Sequence, residues 1–328
     1  MLRKLVDNEF TNAATFYIVS LFLLIISPPL LLFKIIYNFL VSFRPTDANM
    51  RGKVVLITGA SSGIGECLAY EYAKREALLV IVARREQLLQ KVAEKARGIG
   101  SPDVLVICGD VSDFNDCRRF IDEAINHFGR LDHLVNNAGI GSIFMVNEGI
   151  DITKFAPVMD INFWGSIYPS HFAIPHLKKT NGTIIVNAST AAYFNLPRSG
   201  FYSASKSAVT SFYESLRAEL GPEIKITIVT LGYVESEMTL GKQMSKEGEM
   251  KHNQEIKDLV FECFPVMSTE PCAKAIVKGA CRGDRWITEP QFMRPFIAFN
   301  FFFPELVQWH FKKFYLGKWI AATKAAHK

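Results

Sequence analysis

The sequence predicts an α/β fold: a doubly wound parallel sheet of about seven strands, preceded by a hydrophobic N-terminal membrane or monolayer anchor. Three observations carry this. Short β-branched apolar runs alternate with helical patterns from residue 53 to about 290; a Gly-rich turn follows the first run; and residues 10–33 are 24 positions without a formal charge. Hydrophobic residues at 49% and charged residues at 21% exclude wholesale disorder. A net charge of +5 is too small a bias for a nucleic-acid binder, so no nucleic-acid partner is expected. Six Cys without a CxxC pair suggest neither a zinc ribbon nor a disulfide framework and fit a reducing, cytosolic environment.

Residues 1–44 form the expected anchor. The apolar run continues to Phe43 and is interrupted by Ser27-Pro28-Pro29. A single kinked span and a hairpin turning at the prolines both remain open, with a buried core helix of a soluble protein as the further alternative. Adjacent prolines favour a turn, and two 11-residue arms would each reach about 16 Å, half of a roughly 30 Å bilayer core. Basic residues flank both sides (Arg3, Lys4; Arg44, Arg51, Lys53), so charge does not orient the segment. Residues 45–52 read as a polar linker and 53–290 as the sheet-bearing domain. Its candidate strands are 54–57, 78–82, 104–108, 133–135, 183–186, 225–229 and 286–287; each is near-continuously apolar, as strands buried on both faces are. Helical patterns lie between them at 63–75, 86–97, 115–128, 154–176 and 202–220, which implies parallel strands joined by right-handed crossovers. Residues 241–257 read as a mobile substrate lid or a solvated helix. Segment 291–328 is aromatic and basic, with eight Phe, two Trp and, after Glu305, five Lys and no acid. It suits a membrane interface, a lid over an apolar site or a core-capping helix.

The first strand runs into Thr58-Gly59-Ala60-Ser61-Ser62-Gly63-Ile64-Gly65 and then a helix. Glycines permit the tight turn and the close approach of backbone to a pyrophosphate, and the helix N-terminus offers free N–H groups and partial positive charge. Gly59, Ser61, Ser62, Gly63, Ile64 and Gly65 are therefore candidate dinucleotide ligands in a Rossmann-type sheet. After the second strand stand Arg84 and Arg85, where an NAD-preferring site usually places an acid. Two guanidinium groups suit a 2′-phosphate, so NADP(H) is expected over NAD(H), unless Glu86 or solvent neutralises one of them. Asp110, followed by Val111, falls where an acid could accept from the adenine; a turn or cap role is the alternative.

Tyr202-Ser203-Ala204-Ser205-Lys206 places a Tyr and a Lys on one helix face. A nearby ammonium favours phenolate and should lower the Tyr pKa, fitting the phenol for proton exchange with an alcohol oxygen. Ser189 lies thirteen residues earlier, beyond the strand at 183–186. Asn136-Asn137-Ala138-Gly139 ends the preceding strand at the carboxyl edge where open parallel sheets bind ligands, and Asn162 lies in the helix that follows. His171 and His176 lack a metal-ligand spacing, and no metal is expected.

In this order and spacing TGxxxGxG, NNAG, Asn162, Ser189 and YxxxK resemble the short-chain dehydrogenase/reductase family over about seven-tenths of the chain. The resemblance implies NAD(P)(H) and hydride transfer between a secondary alcohol and a ketone. It implies Tyr202 as acid/base and Lys206 as the ribose-binding group that lowers the Tyr pKa. Ser189 would position the substrate oxygen, Asn162 hold a relay water, and Asn137, Ala138 and Gly139 shape the cofactor pocket. Gly232, Val234 and Ser236 would meet the nicotinamide end; here Leu231 replaces a frequent Pro. The anchor with its Ser-Pro-Pro break is similar to the steroleosin group, the plant 11β-hydroxysteroid dehydrogenase-like proteins of oil bodies. That likeness implies a sterol or similar lipophilic substrate, a possible homodimer, and attachment through residues 10–43 to a lipid-droplet monolayer or the endoplasmic reticulum, with the catalytic domain cytosolic. A lipid-droplet coat or interaction protein, and a reductase of retinoid or fatty-acyl substrates, are the alternatives.

Overall fold

The structure, a computed structural model, describes residues 49–146, 150–194 and 196–316, together with Leu21, Ile25, Ile26 and Pro29. The chain divides after Asp47 into two units. The expected anchor therefore lies outside the described residues apart from those four positions, which are helical. Among the described residues no helix is long and apolar enough to cross a membrane.

The second unit is built on seven strands: β1 (Val54–Thr58), β2 (Leu78–Ala83), β3 (Val104–Cys108), β4 (His133–Asn136), β5 (Thr183–Asn187), β6 (Lys225–Leu231) and, late in the chain, β9 (Trp286–Glu289). All pair in parallel, in the order β3-β2-β1-β4-β5-β6-β9. Each expected strand is present, because its apolar run is needed on both faces. In β1, Val55 and Ile57 join a core with Leu68, Leu89 and Ile276, whereas Val54 and Leu56 join the opposite core with Phe120, Leu177 and Tyr213. The covering helices are α1 (Gly63–Ala73), α2 (Glu86–Ile99), α3 (Phe114–Phe128), α4 (Gly165–Thr180), α5 (Gly200–Leu220), α6 (Gln254–Cys263) and α7 (Thr269–Arg282). After β3 the chain returns past β1 to form β4, so the carboxyl ends of β1 and β4 flank a topological switch point.

Two segments differ from expectation. The continuous helix expected over 154–176 is instead a 3₁₀ turn (Ile152–Phe155), one α turn (Ala156–Met159), a π turn (Asp160–Trp164) and then α4. A π turn takes in an extra residue and resets which side chains face inward; here it buries Asn162. Residues 241–257 are not a helix throughout. They form a hairpin, β7 (Lys242–Met244) against β8 (Met250–His252), before α6 begins. Gly248, at φ +83°, makes the reversal that a helix could not accommodate. The hairpin is tied to the loop after β4, with Met244 N donating to Gly141 O at 2.9 Å. The C-terminal segment continues as α8 (Met293–Phe302) and α9 (Pro304–His310).

Candidate active site

The site is assembled at the carboxyl edge, where each strand ends in a turn. β1 leads into the Gly-rich turn, with Gly59 at φ +66° and Gly63 at φ +60°. A Cβ on Gly65 would run into the Gly59 carbonyl oxygen and stand 2.5 Å from Asn137 Nδ2, so α1 approaches the turn as closely as only glycine allows. Ser62 is the N-cap of α1, yet its side chain makes no capping bond. Instead Ser62 Oγ accepts from Arg85 Nη2 at 2.7 Å. The first-turn N–H groups of α1 thus lack a side-chain acceptor and face a cleft of about 400 Å³, an arrangement suited to a phosphate.

Every candidate residue lines that one cleft except Asn162. Val111, which also lines it, lies under Gly165, where a Cβ would stand 2.7 Å from its Cγ2. Asn162 sits behind the wall: its Oδ1 accepts from Ile140 N at 2.8 Å, and its Nδ2 donates to Ile140 O and Ser205 Oγ, each at 2.9 Å. Through these bonds the side chain clamps the loop after β4 to α5. Gly139 lets that clamp close, since a Cβ there would meet Asn162 Oδ1 at 3.1 Å and Lys206 Nζ at 3.5 Å.

Thr58, Asn137 and Asn187 link three strand ends. Thr58 Oγ1 accepts from the backbone N–H groups of Asn137 and Ala138 at 3.1 and 3.2 Å. Asn137 Nδ2 donates to Thr58 O at 3.0 Å, and Asn187 Nδ2 donates to Asn137 Oδ1 at 2.8 Å. The Asn187 carbonyl then accepts from Lys206 Nζ at 2.8 Å. Sequence reasoning missed Asn187; its place at the last position of β5, two residues before Ser189, was the available signal.

Ser189 heads a 3₁₀ turn, its Oγ accepting from Ala191 N at 3.1 Å and lying 3.3 Å from Leu231 O. Its hydroxyl acts on the Tyr202 phenol, lowering that group's pKa. Lys206 is buried, with Nζ 5.9 Å from the Tyr202 ring centroid. The expectation of a lowered Tyr202 pKa is not met. Burial raises it, and the Ser189 hydroxyl pulls it back only in part. Lys206 is itself pushed down to about 8 by burial.

At the adenosine end two candidate residues are engaged within the chain. Arg85, besides Ser61 and Ser62, binds Glu237, Nη1 to Oε1 at 2.7 Å. Glu237 Oε2 accepts in turn from Lys242 Nζ at 2.8 Å. The neutralising acid is thus Glu237, 152 residues along the chain, not Glu86. Arg84 is exposed and lies 3.6 Å from Asp110 Oδ2. Asp110 Oδ1 accepts from Ser112 N and Oγ at 3.0 and 2.7 Å, so this acid holds its own turn. Across the cleft, Ser236 accepts from Thr239 N at 3.4 Å and stands 3.5 Å from where a Gly63 Cβ would be. Val234 O accepts from Thr239 Oγ1 at 3.0 Å, and Gly232 N donates to Glu289 O at 2.8 Å, which fixes the segment after β6.

An open parallel sheet with a phosphate-ready helix N-terminus at the switch point, and a Ser-Tyr-Lys cluster beside it, defines a dinucleotide-dependent oxidoreductase. The family model described as short chain dehydrogenase matches residues 53–247, and the chain belongs to that family. It is 51% identical over 279 residues to an 11-beta-hydroxysteroid dehydrogenase of Pinus massoniana, covering 85% of this chain and 78% of that one. It is 48% identical over 311 residues to 11-beta-hydroxysteroid dehydrogenase 1A of Arabidopsis thaliana, covering 94% and 88%. A Burkholderia phymatum short chain dehydrogenase/reductase solved with NAD shares the fold, with a TM-score of 0.70 and 23% identity over 79% of this chain and 96% of that one. A Thermococcus sibiricus alcohol dehydrogenase solved with 5-hydroxy-NADP aligns with a TM-score of 0.59 and 24% identity, covering 72% and 94%. The first-turn N–H groups of α1 and the glycine cradle fit a nicotinamide dinucleotide.

Proposed function

We propose that the chain is an NADP(H)-dependent oxidoreductase that interconverts a secondary alcohol and a ketone on a sterol or similar lipid, held at a membrane or lipid-droplet surface through residues 10–43. The observation that carries it is the convergence of Ser189, Tyr202 and Lys206 on one wall of the cleft. A lipophilic substrate is supported by the apolar lining from Ile140, Ile143, Leu196, Tyr233, Met238 and Met250, and by the names of the plant relatives.

When bound, the nicotinamide supplies or accepts a hydride. The chain's own residues handle the proton and the geometry. Ser189 Oγ orients the substrate oxygen, and Tyr202 gives it a proton in the reductive direction. Lys206, held by Asn187 O, stabilises the charge that develops on the phenol. Burial of Tyr202 keeps its proton on at neutral pH, which suits a general acid. Reduction is therefore expected to be steady through neutral pH. It should decline as pH rises through about 8, where Lys206 loses its charge and the forming phenolate its counter-ion. A kcat–pH profile that climbs through that range contradicts this.

Arg84 and Ser61 supply the preference for NADP(H), and Glu237 opposes it with a like charge beside the 2′-phosphate. Glu237→Gln should tighten NADPH by up to about fivefold, the worth of a solvent-screened pair, and leave NADH unchanged. Fluorescence titration with both cofactors reads this, and weaker NADPH binding would show instead that Glu237 helps hold the cofactor. The anchor is tested by deleting residues 1–43, which should release the protein from the membrane pellet to the soluble fraction at high salt; retention in the pellet there would contradict it. The function as a whole is tested by screening lipid alcohol and ketone pairs with NADP+ and NADPH on the full chain in detergent. Tight cofactor binding with no turnover of any lipid would favour a binding or coat protein.

A further inference from the structure

We infer that α8 and α9 form a second lipid-contact surface, one that docks the mouth of the cleft onto an anionic phospholipid layer. Neither helix contains a buried residue. Their large apolar side chains are turned outward: Phe301 is 81% exposed, Phe302 70%, and Phe296, Leu306 and Trp309 56% each. Apolar side chains on consecutive helices in this density mark an interaction site, since isolated exposed hydrophobics are ordinary but contiguous ones are not.

Charge decides what kind of partner fits. Segment 292–328 carries six Lys and Arg against the single acid Glu305, so it alone holds the chain's whole net charge of +5 and the rest of the chain is neutral. Lys312 and Lys313 lie one residue beyond α9, after Phe311, and are exposed. Lys313 lies 4.9 Å from the Trp309 ring centroid, an ammonium over an indole. Aromatic rings flanked by lysines match an interface between hydrocarbon and anionic headgroups; a protein–protein interface would more often be depleted of Lys.

The position links the surface to the cleft. Asn300 Nδ2 donates to Tyr193 O at 3.0 Å, and the ring of Phe311, the residue after α9, lies 6.3 Å from that of Phe194, so α8 and the end of α9 border the loop that follows Ser189. On the other lip a Cβ at Gly232, a cleft residue, would stand 3.4 Å from Met293 Cγ. Docked this way, the cleft would open at the lipid surface, and an apolar substrate could enter without crossing water. The surface rests on exposure and charge, not on the catalytic assignment, and the test reads it separately from activity.

The full chain is reconstituted into phosphatidylcholine vesicles, with and without phosphatidylserine, containing a photoactivatable phospholipid, and labelled peptides are mapped. Peptides within 292–313 should be labelled. Phe301→Asp with Phe302→Asp should cut that labelling roughly tenfold while NADPH binding, and any labelling of residues 10–43, persists. Lys312→Glu with Lys313→Glu should cut it only in vesicles containing phosphatidylserine. No labelling of 292–313, labelling indifferent to both double variants, or cross-links from this face to a second copy of the chain would each overturn the inference.

Discussion

Tyr202→Phe is expected to lower turnover by about 10²–10⁴-fold, the usual worth of a positioned acid or base, while leaving cofactor affinity intact. The phenol oxygen is the only heavy atom removed, and Ser189 is the hydroxyl that acts on it. Ser189 keeps its bonds to Ala191 N and Leu231 O, so the wall of the cleft is retained. The stability cost should be about 1 kcal/mol or less, that of one ordinary hydrogen bond. Steady-state kinetics alongside NADPH titration separates the two effects. A variant with near-normal turnover would remove Tyr202 from the chemistry and with it the proposed mechanism.

Gly65→Ala has the second-largest expected effect, and it acts through backbone. The added methyl would meet the Gly59 carbonyl and Asn137 Nδ2, neither of which can retreat cheaply. Gly59 cannot yield toward β4, because a Cβ at its own position would already be 2.8 Å from Ala138 Cα. Asn137 Nδ2 is the donor that ties β4 to Thr58 O. Overpacking of this kind costs about 1–3 kcal/mol. The loss of cofactor affinity should exceed the loss of stability, because the displaced atoms are those that shape the phosphate turn. Gly98→Ala is the matched control. Gly98 lies in α2 with nothing within 4 Å of the added carbon, so that change should be neutral or stabilising by up to about 1 kcal/mol. Thermal melts and NADPH titration of both variants read the contrast; equal behaviour would mean the Gly-rich turn is more compliant than its geometry implies.

The seven strands of the large sheet were legible in the sequence because each had to be apolar on both faces, a pattern that does not depend on distant partners. The cluster of Ser189, Tyr202 and Lys206 was legible from residue type and order. What was not legible depended on three-dimensional proximity or on burial. Arg85 meets Glu237 across 152 residues, and nothing local to either position announces it. The direction of the Tyr202 pKa turned on desolvation, whereas helical spacing alone spoke for the Lys206 ammonium. The π turn at Asp160–Trp164 sits inside an otherwise helical pattern, where hydrophobic periodicity is too coarse to register one extra residue. Strands β7 and β8, three residues each, are too short to show an alternation.

The most direct test of the central claim follows the hydride itself. NADPH carrying deuterium at the transferable position is incubated with the full chain and a steroid or related lipid ketone, and the lipid product is analysed by mass spectrometry. Deuterium on the new carbinol carbon, absent with Tyr202→Phe, is the expected result. A product without the label, or label transfer that survives the loss of the Tyr202 hydroxyl, would contradict a cleft that moves a hydride to carbon while Tyr202 moves the proton to oxygen.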